Sequence, residues 1–236
     1  MIAILDERTP TPAIRSLERL GYEPILLPPA RSLLAPIASH PDALLFFTPD
    51  AILCEKSYLS LTKELLFRIS QAAGKPLRAV DASLGTDYPK DVLFNACPLG
   101  KHLFCHPSAT AREIRTNSAY SAIPVRQGYV KCSTLPVGKN ALISADPSIL
   151  SAARAHGIDA LQISAGSIVL DGYDYGFVGG CASFAPYEDV DTVYFCGDPD
   201  THPDGSAMKE FCRSHGITPH ALCNGPLTDI GTIFLI

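Results

Sequence analysis

Thirteen residues, Asp171–Ser183, place two acids, two tyrosines and four glycines directly after the apolar run Ile168-Val169-Leu170. Carboxylates and phenols set among glycines suit the capture of a cation or a polar ligand, because glycine lets backbone and ligand approach closely. Two readings of the stretch stand. It is a loop that carries Tyr173 and Asp174, with Gly179 and Gly180 beside them, into a central site, or it is a glycine-rich turn between two buried strands. The other chemistry-bearing groups are dispersed along the chain. His40-Pro41-Asp42 recurs as His202-Pro203-Asp204. Paired His and Asp suit general acid–base work or metal ligation. The same triplet also serves as turn and cap chemistry, with Asp204 capping the helix that follows it. Lys131 stands between Val130 and Cys132, either as a buried cation awaiting a carboxylate or substrate anion, or as a solvent-facing strand residue.

Other chemistries find less support. Cys97, His102, Cys105 and His106 lie close together, but their spacing matches no zinc pattern, so no metal is expected. There is no phosphate-cradling Walker loop, and residues 172–180 do not match the dinucleotide fingerprint, so no cofactor is expected either.

The elements that must position these groups show a repeated grammar. A helix end, a glycine and an apolar strand follow one another at Leu17 to Leu27, around Gly21. The same order returns around Gly74, Gly157 and Gly216. Glycine just past a helix ends it in the left-handed conformation, and the apolar residues beyond begin the next strand. A second repeat fills the gap: Cys97-Pro98-Leu99-Gly100-Lys101 is echoed by Leu135-Pro136-Val137-Gly138-Lys139. Each is followed by an apolar strand and then by a helix start, at Pro107-Ser108 and Pro147-Ser148. Asn95, before the first of these, falls at the same centre by repeat position. The pattern predicts helices over Pro12 to Leu20, capped by Thr11, over Glu64 to Ala73 and over Ile149 to Ala155. It predicts buried strands at Ala43 to Phe47 and Thr232 to Ile236. The unit is strand, helix, glycine, strand, repeated four or five times within one compact domain spanning residues 1–236.

Composition narrows the partners. The chain has 236 residues, 47% hydrophobic and 18% charged, with a formal net charge of −5. Without a basic cluster, nucleic acid is not an expected partner. No apolar run approaches membrane-spanning length. Met1 to Asp6 reads as an opening strand, not a signal peptide. The eight cysteines are scattered, which fits reduced thiols in a cytoplasmic protein better than a disulfide framework. A small molecule is the expected partner, and composition leaves the oligomeric state open.

Strand-helix-strand modules repeated around a centre resemble the pentein fold of the guanidine-modifying enzymes. These include dimethylarginine dimethylaminohydrolase, arginine and agmatine deiminases, and amidinotransferases. The resemblance is best over Gln127 to Ile236. Gly128-Tyr129-Val130-Lys131-Cys132-Ser133 resembles the segment that carries the catalytic histidine of dimethylarginine dimethylaminohydrolase. Asn224 to Thr232 resembles the final turn and strand that carry its catalytic cysteine. The chain as a whole also resembles an uncharacterised bacterial family assigned to this fold, with His-Pro-Asp, Gln-Gly-Tyr and Asp-Ile-Gly signatures like those here.

The resemblance implies an α/β propeller of pseudo-fivefold design and an enzyme, or enzyme-derived protein, acting on a small cationic, amino-acid-like ligand with a guanidino or amide group. It also exposes a departure. Tyr129 stands at the histidine position and Asp229 at the cysteine position. A carboxylate and a phenol do not replace a thiolate nucleophile and its proton shuttle, so the cysteine route is expected to be absent. On this reading Asp229, Asp174 and Asp42 clamp the cation, and Lys131, His40 and His202 handle charge or protons. Asn95, Tyr129, Tyr173, Gly179 and Gly180 line the ligand, with Cys132 and Cys181 as relocated nucleophiles. A catalytically silent binder of the same fold is the alternative.

Overall fold

In a computed structural model that describes residues 1–187 and 190–236, fifteen short strands and seven α-helices alternate among the described residues. The first unit is β1 (Ile2–Asp6), α1 (Thr11–Arg19) and β2 (Glu23–Leu27). The second has a helical turn α2 (Pro41–Leu44), strands β3 (Leu45–Phe47) and β4 (Ile52–Glu55), helices α3 (Lys56–Leu61) and α4 (Lys63–Ala73), and β5 (Leu77–Val80). The third is β6 (Cys97–Leu99), β7 (His102–Cys105), α5 (Arg112–Arg115) and β8 (Ser121–Pro124). The fourth is β9 (Leu135–Pro136), β10 (Ala141–Ser144), α6 (Pro147–Ala155) and β11 (Asp159–Gln162). The fifth is β12 (Ala182–Tyr187), β13 (Val190–Phe195), α7 (Gly205–Ser214) and β14 (Thr218–Ala221). The chain ends in β15 (Phe234–Leu235).

These strands form five sheets of three. In every sheet the middle strand pairs antiparallel with a leading strand and parallel with a following one. The leading strands are β3, β6, β9, β12 and β15. The middle and following strands are joined through one or two helices, as a parallel pair requires a crossover connection. The last strand, β15, pairs with β1, with Ala3 opposite Leu235. The two ends of the chain therefore complete a single sheet.

Local chemistry accounts for the unit. Helix α1 buries Ala13, Ser16 and Leu17, a helical spacing that packs Ala13 and Leu17 with Ala3, Leu5 and Tyr22 of its own unit. The repeated glycines Gly21, Gly74, Gly157 and Gly216 have φ of +84°, +61°, +71° and +73°, and each turns the chain from helix into the next strand. At the start of α6, the Asp146 carboxylate accepts from the backbone N–H groups of Ser148 and Ile149, a side-chain cap.

Several expectations need correction. Thr11 is the first residue of α1, which has no side-chain cap. Pro107-Ser108 lies in a turn and the helix begins only at Arg112. Pro41 starts a helical turn, so the strand expected from Ala43 begins at Leu45. Asp204 stands before α7 without capping it; its carboxylate accepts from the Ser164 N–H at 2.6 Å instead. Residues 168–170 do not form a strand. Val169 bridges to Thr228, and the carbonyls of Ile168 and Leu170 accept from Gly176 N at 2.7 Å and Tyr173 N at 3.1 Å. Among the described residues no helix is long and apolar enough to cross a membrane.

Candidate functional site

Four of the five segments just before a leading strand carry a buried polar side chain, and the fifth carries two buried glycines. Asp42 precedes β3, Asn95 precedes β6, Lys131 and Cys132 precede β9, Gly179 and Gly180 precede β12, and Asp229 and Thr232 precede β15. Asp6, the last residue of β1, is fully buried beside them. Equivalent positions in five sheets thus meet, although the residues lie far apart in sequence.

Asn95 ties two of these segments together. Its Oδ1 accepts from the backbone N–H groups of Lys131 at 2.7 Å and Cys132 at 3.1 Å. Its Nδ2 donates to Cys132 Sγ at 3.2 Å, and the Cys132 thiol donates to Asp42 Oδ2 at 2.9 Å. Lys131 is buried in a turn, not on a solvent-facing strand. Its Nζ donates to Gly179 O at 3.1 Å and Thr232 Oγ1 at 2.8 Å. Thr232 has φ of +72°, a conformation that a β-branched residue rarely adopts and that usually marks a constrained site.

Asp229 is equally pinned. Its Oδ2 accepts from Phe177 N at 2.8 Å and its Oδ1 from Gly231 N at 3.0 Å. Gly180 permits this: a Cβ there would lie 1.9 Å from Asp229 Oδ1. A Cβ on Gly231 would lie 2.3 Å from His40 Cβ. The glycines of this site are therefore empty volume that polar side chains occupy.

A cavity of about 240 Å³ opens onto the cluster. Tyr129, Tyr173, Tyr175 and Phe177 wall it, and His40, Cys132, Asp174 and Asp229 supply its polar atoms. The Tyr129 and Phe177 rings stack at 6.1 Å between centroids, and Tyr175 meets Phe177 edge-on at 5.9 Å. Asp229 and His40 are buried, whereas Tyr173 and Asp174 are exposed on the glycine-rich loop. That loop is therefore one wall of the cavity.

Burial sets the protonation tendencies. It raises the Asp42 pKa, against the opposing pull of Lys131 and the Cys132 hydrogen bond. It raises that of Asp229, with His40 pulling it down and Asp42 pushing it further up. It lowers that of His40, against the charges of Asp229 and Asp6. The Cys132 thiol is held well above its ordinary range by burial and by the carboxylates of Asp42 and Asp229. The Tyr129 phenol is raised by burial and by its bond to Asp91. As arranged, neither Cys132 nor Tyr129 is poised to ionise near neutrality.

Not every predicted residue is brought here. His202 is buried, but it does not line the cavity; its Nδ1 accepts from Asp204 N at 3.0 Å. The two His-Pro-Asp triplets are therefore not equivalent. Cys181 faces an apolar cluster with Ile163, Val193 and Phe195 and donates to Val178 O at 3.3 Å. Burial and the nearby Asp229 raise its thiol pKa, which makes it a core cysteine. Conversely, Asp6, Asp91, Gly176 and Thr232 belong to the site without having been singled out. Asp6 carried one signal: an acid ending a strand whose other residues are all apolar.

A family model described only as a family of unknown function, DUF6873, matches residues 4–234. No curated protein matches the chain. Among solved structures the chain is similar to a dimethylarginine dimethylaminohydrolase from Pseudomonas aeruginosa complexed with citrulline. The identity is 12% over 89% of this chain and 78% of that one, with a TM-score of 0.54. It is similar to a dimethylarginine dimethylaminohydrolase adduct with 4-chloro-2-hydroxymethylpyridine, at 11% identity, 93% and 90% coverage and a TM-score of 0.57. An apo arginine dihydrolase from the cyanobacterial ornithine–ammonia cycle matches at 9% identity, covering 93% of this chain and 36% of that one, with a TM-score of 0.53. At such identities the likeness is one of fold, and the fold is the pentein α/β propeller.

Proposed function

This chain belongs to the DUF6873 family of unknown function, and we propose that it binds a small cationic, amino-acid-like molecule bearing a guanidino or amide group, without hydrolysing it by a cysteine route. One observation carries this reading: an aromatic-walled cavity with the buried carboxylate of Asp229 inside and the exposed Asp174 beside it. Aromatic faces attract cations by about 0.5–2 kcal/mol each, more where water is excluded. Asp229 keeps its orientation through two backbone N–H bonds, so a cation meets a preorganised acceptor. The raised Tyr129 and Cys132 argue against turnover through either group.

A second reading rests on a separate observation. Cys132, His40 and Asp42 lie together beside the same cavity, so a ligand that displaced the thiol from Asp42 would face a nucleophile with a base beside it.

Calorimetry with arginine, agmatine and methylated arginines tests the first reading. Saturable binding, weakened by Asp174→Ala and Tyr173→Ala, is expected. No binding of any of these cations, or preference for anionic ligands, would refute it. Robust formation of citrulline-type products, abolished by a thiol alkylator, would establish the second reading in its place.

A further inference from the structure

We propose that His40, Asp42 and Cys132 form a binding site for a transition-metal dication of zinc-like character. One donor atom from each residue lies within 4.8 Å of the other two. All three residues are buried, His40 and Asp42 to 1% exposure and Cys132 to 4%. His40 Nε2 and Asp42 Oδ1 have no hydrogen-bond partner among the described residues. Polar atoms this deep without a hydrogen bond are costly unless something binds them.

The donor set selects the ion. A thiolate, an imidazole and a carboxylate suit zinc and its neighbours, whereas calcium and magnesium take oxygen donors. Three protein ligands leave a tetrahedral ion one open position, and His40 and Cys132 both line the cavity. Tetrahedral bonds of roughly 2.0–2.3 Å set donors about 3.3–3.5 Å apart, so the donor atoms must draw together by up to about 1.5 Å from that outer separation.

The framework limits how far they can spread. His40 and Asp42 flank Pro41 on one helical turn, and Asp42 N donates to Gly231 O at 3.1 Å. Asn95 holds the Cys132 backbone and already directs Nδ2 at its sulfur, the outer support that orients metal ligands. On binding, the Sγ–metal bond forms as the thiol proton, now directed at Asp42, leaves to solvent. Thiolate and carboxylate together balance the dication. Asp6, 3.7 Å from His40 Nε2, adds negative charge. Lys131 opposes binding, but its Nζ donates to Gly179 and Thr232 instead. The proposal does not depend on the organic ligand suggested above.

The test uses the full chain, stripped with a chelator and titrated with Co²⁺ and Zn²⁺. A thiolate-to-cobalt charge-transfer band saturating at about one ion per chain is expected. It should be lost in Cys132→Ser and His40→Ala and retained in Cys223→Ser, with circular dichroism confirming that each is folded. Asn95→Ala should bind roughly 10–100-fold more weakly. X-ray absorption of the zinc-loaded wild type provides a readout that needs no variant and should give one sulfur with nitrogen and oxygen neighbours. No band in folded wild type would overturn the proposal. So would a band that survives in Cys132→Ser, or a shell of two sulfurs, which would assign the ion to other cysteines.

Discussion

Replacing Gly180 with alanine tests the idea that the site glycines are space for Asp229. The added Cβ would stand 1.9 Å from Asp229 Oδ1, 2.3 Å from Cγ and 2.6 Å from Oδ2. Ordinary contact needs more than about 3 Å, so one side must retreat by roughly 1 Å or more. Gly180 cannot move easily. Its N–H donates to Cys132 O at 3.0 Å, and its carbonyl accepts from Ile230 N at 3.1 Å and Thr232 N at 2.8 Å. Asp229 must yield and release the N–H groups of Phe177 and Gly231. Each such bond to a buried carboxyl is worth ~1–3 kcal/mol, giving a loss of about 4 kcal/mol. For a chain of this size that lowers Tm by roughly 8–16 °C. Gly157→Ala is the control: φ is +71° but no atom lies within 4 Å of the added Cβ. Backbone strain alone should cost about 1 kcal/mol there. Thermal melts of both variants, and of Gly180→Ala in an Asp229→Ala background, provide the assay. In that background the obstructing atoms are gone, so the methyl should add less than about 1 kcal/mol. A Gly180→Ala melt within about 2 °C of wild type would refute the reasoning. So would an equal cost in both backgrounds.

Two further outcomes follow from the same geometry. The partly exposed Cys223 thiol is drawn down by its hydrogen bond with Cys196, while burial raises Cys132 and Cys181. Iodoacetamide should therefore modify Cys223 first, its rate levelling off at a lower pH than that of free cysteine; peptide mass spectrometry placing Cys223 behind another cysteine, or its profile at or above that of free cysteine, would contradict this. Tyr129→Phe removes the hydroxyl bonded to buried Asp91, whose Oδ1 is already without a partner among the described residues. Denaturant unfolding should show a loss of ~1–3 kcal/mol, and an unchanged midpoint would mean that water satisfies Asp91.

Much of the architecture was legible in the chain itself. Helix periodicity, glycines at helix ends and the Pro-x-Gly-Lys turns are local signals, each set by the φ/ψ preferences of a few neighbouring residues. Their repetition declared the strand-helix-strand unit and its multiplicity, and the resemblance it prompted agrees with the pentein fold found here. Local signals misled where tertiary contacts competed. Asp204 has the identity and position of a cap, but Ser164 from a distant segment offers its carboxylate a better-placed N–H. The two His-Pro-Asp triplets are alike in sequence; His40 of the first lines the cavity, whereas His202 of the second does not and accepts from Asp204 N instead.

The sequence by itself determined the repeating unit, and hence that equivalent segments would recur before each leading strand. Only the tertiary structure decided which side chains share the centre and in what electrostatic state. Cys132, between Lys131 and Ser133, and Cys181, between Gly180 and Ala182, are equal candidates in the chain, yet one donates to Asp42 at the cavity and the other to a backbone carbonyl in the core. Asp6 and Asp229 stand 223 positions apart, the difference between their residue numbers, and both act on His40. Burial, proximity of charge and the empty volume left by Gly180 are relations between segments. No residue carries them alone, and they arise only when the five sheets are assembled.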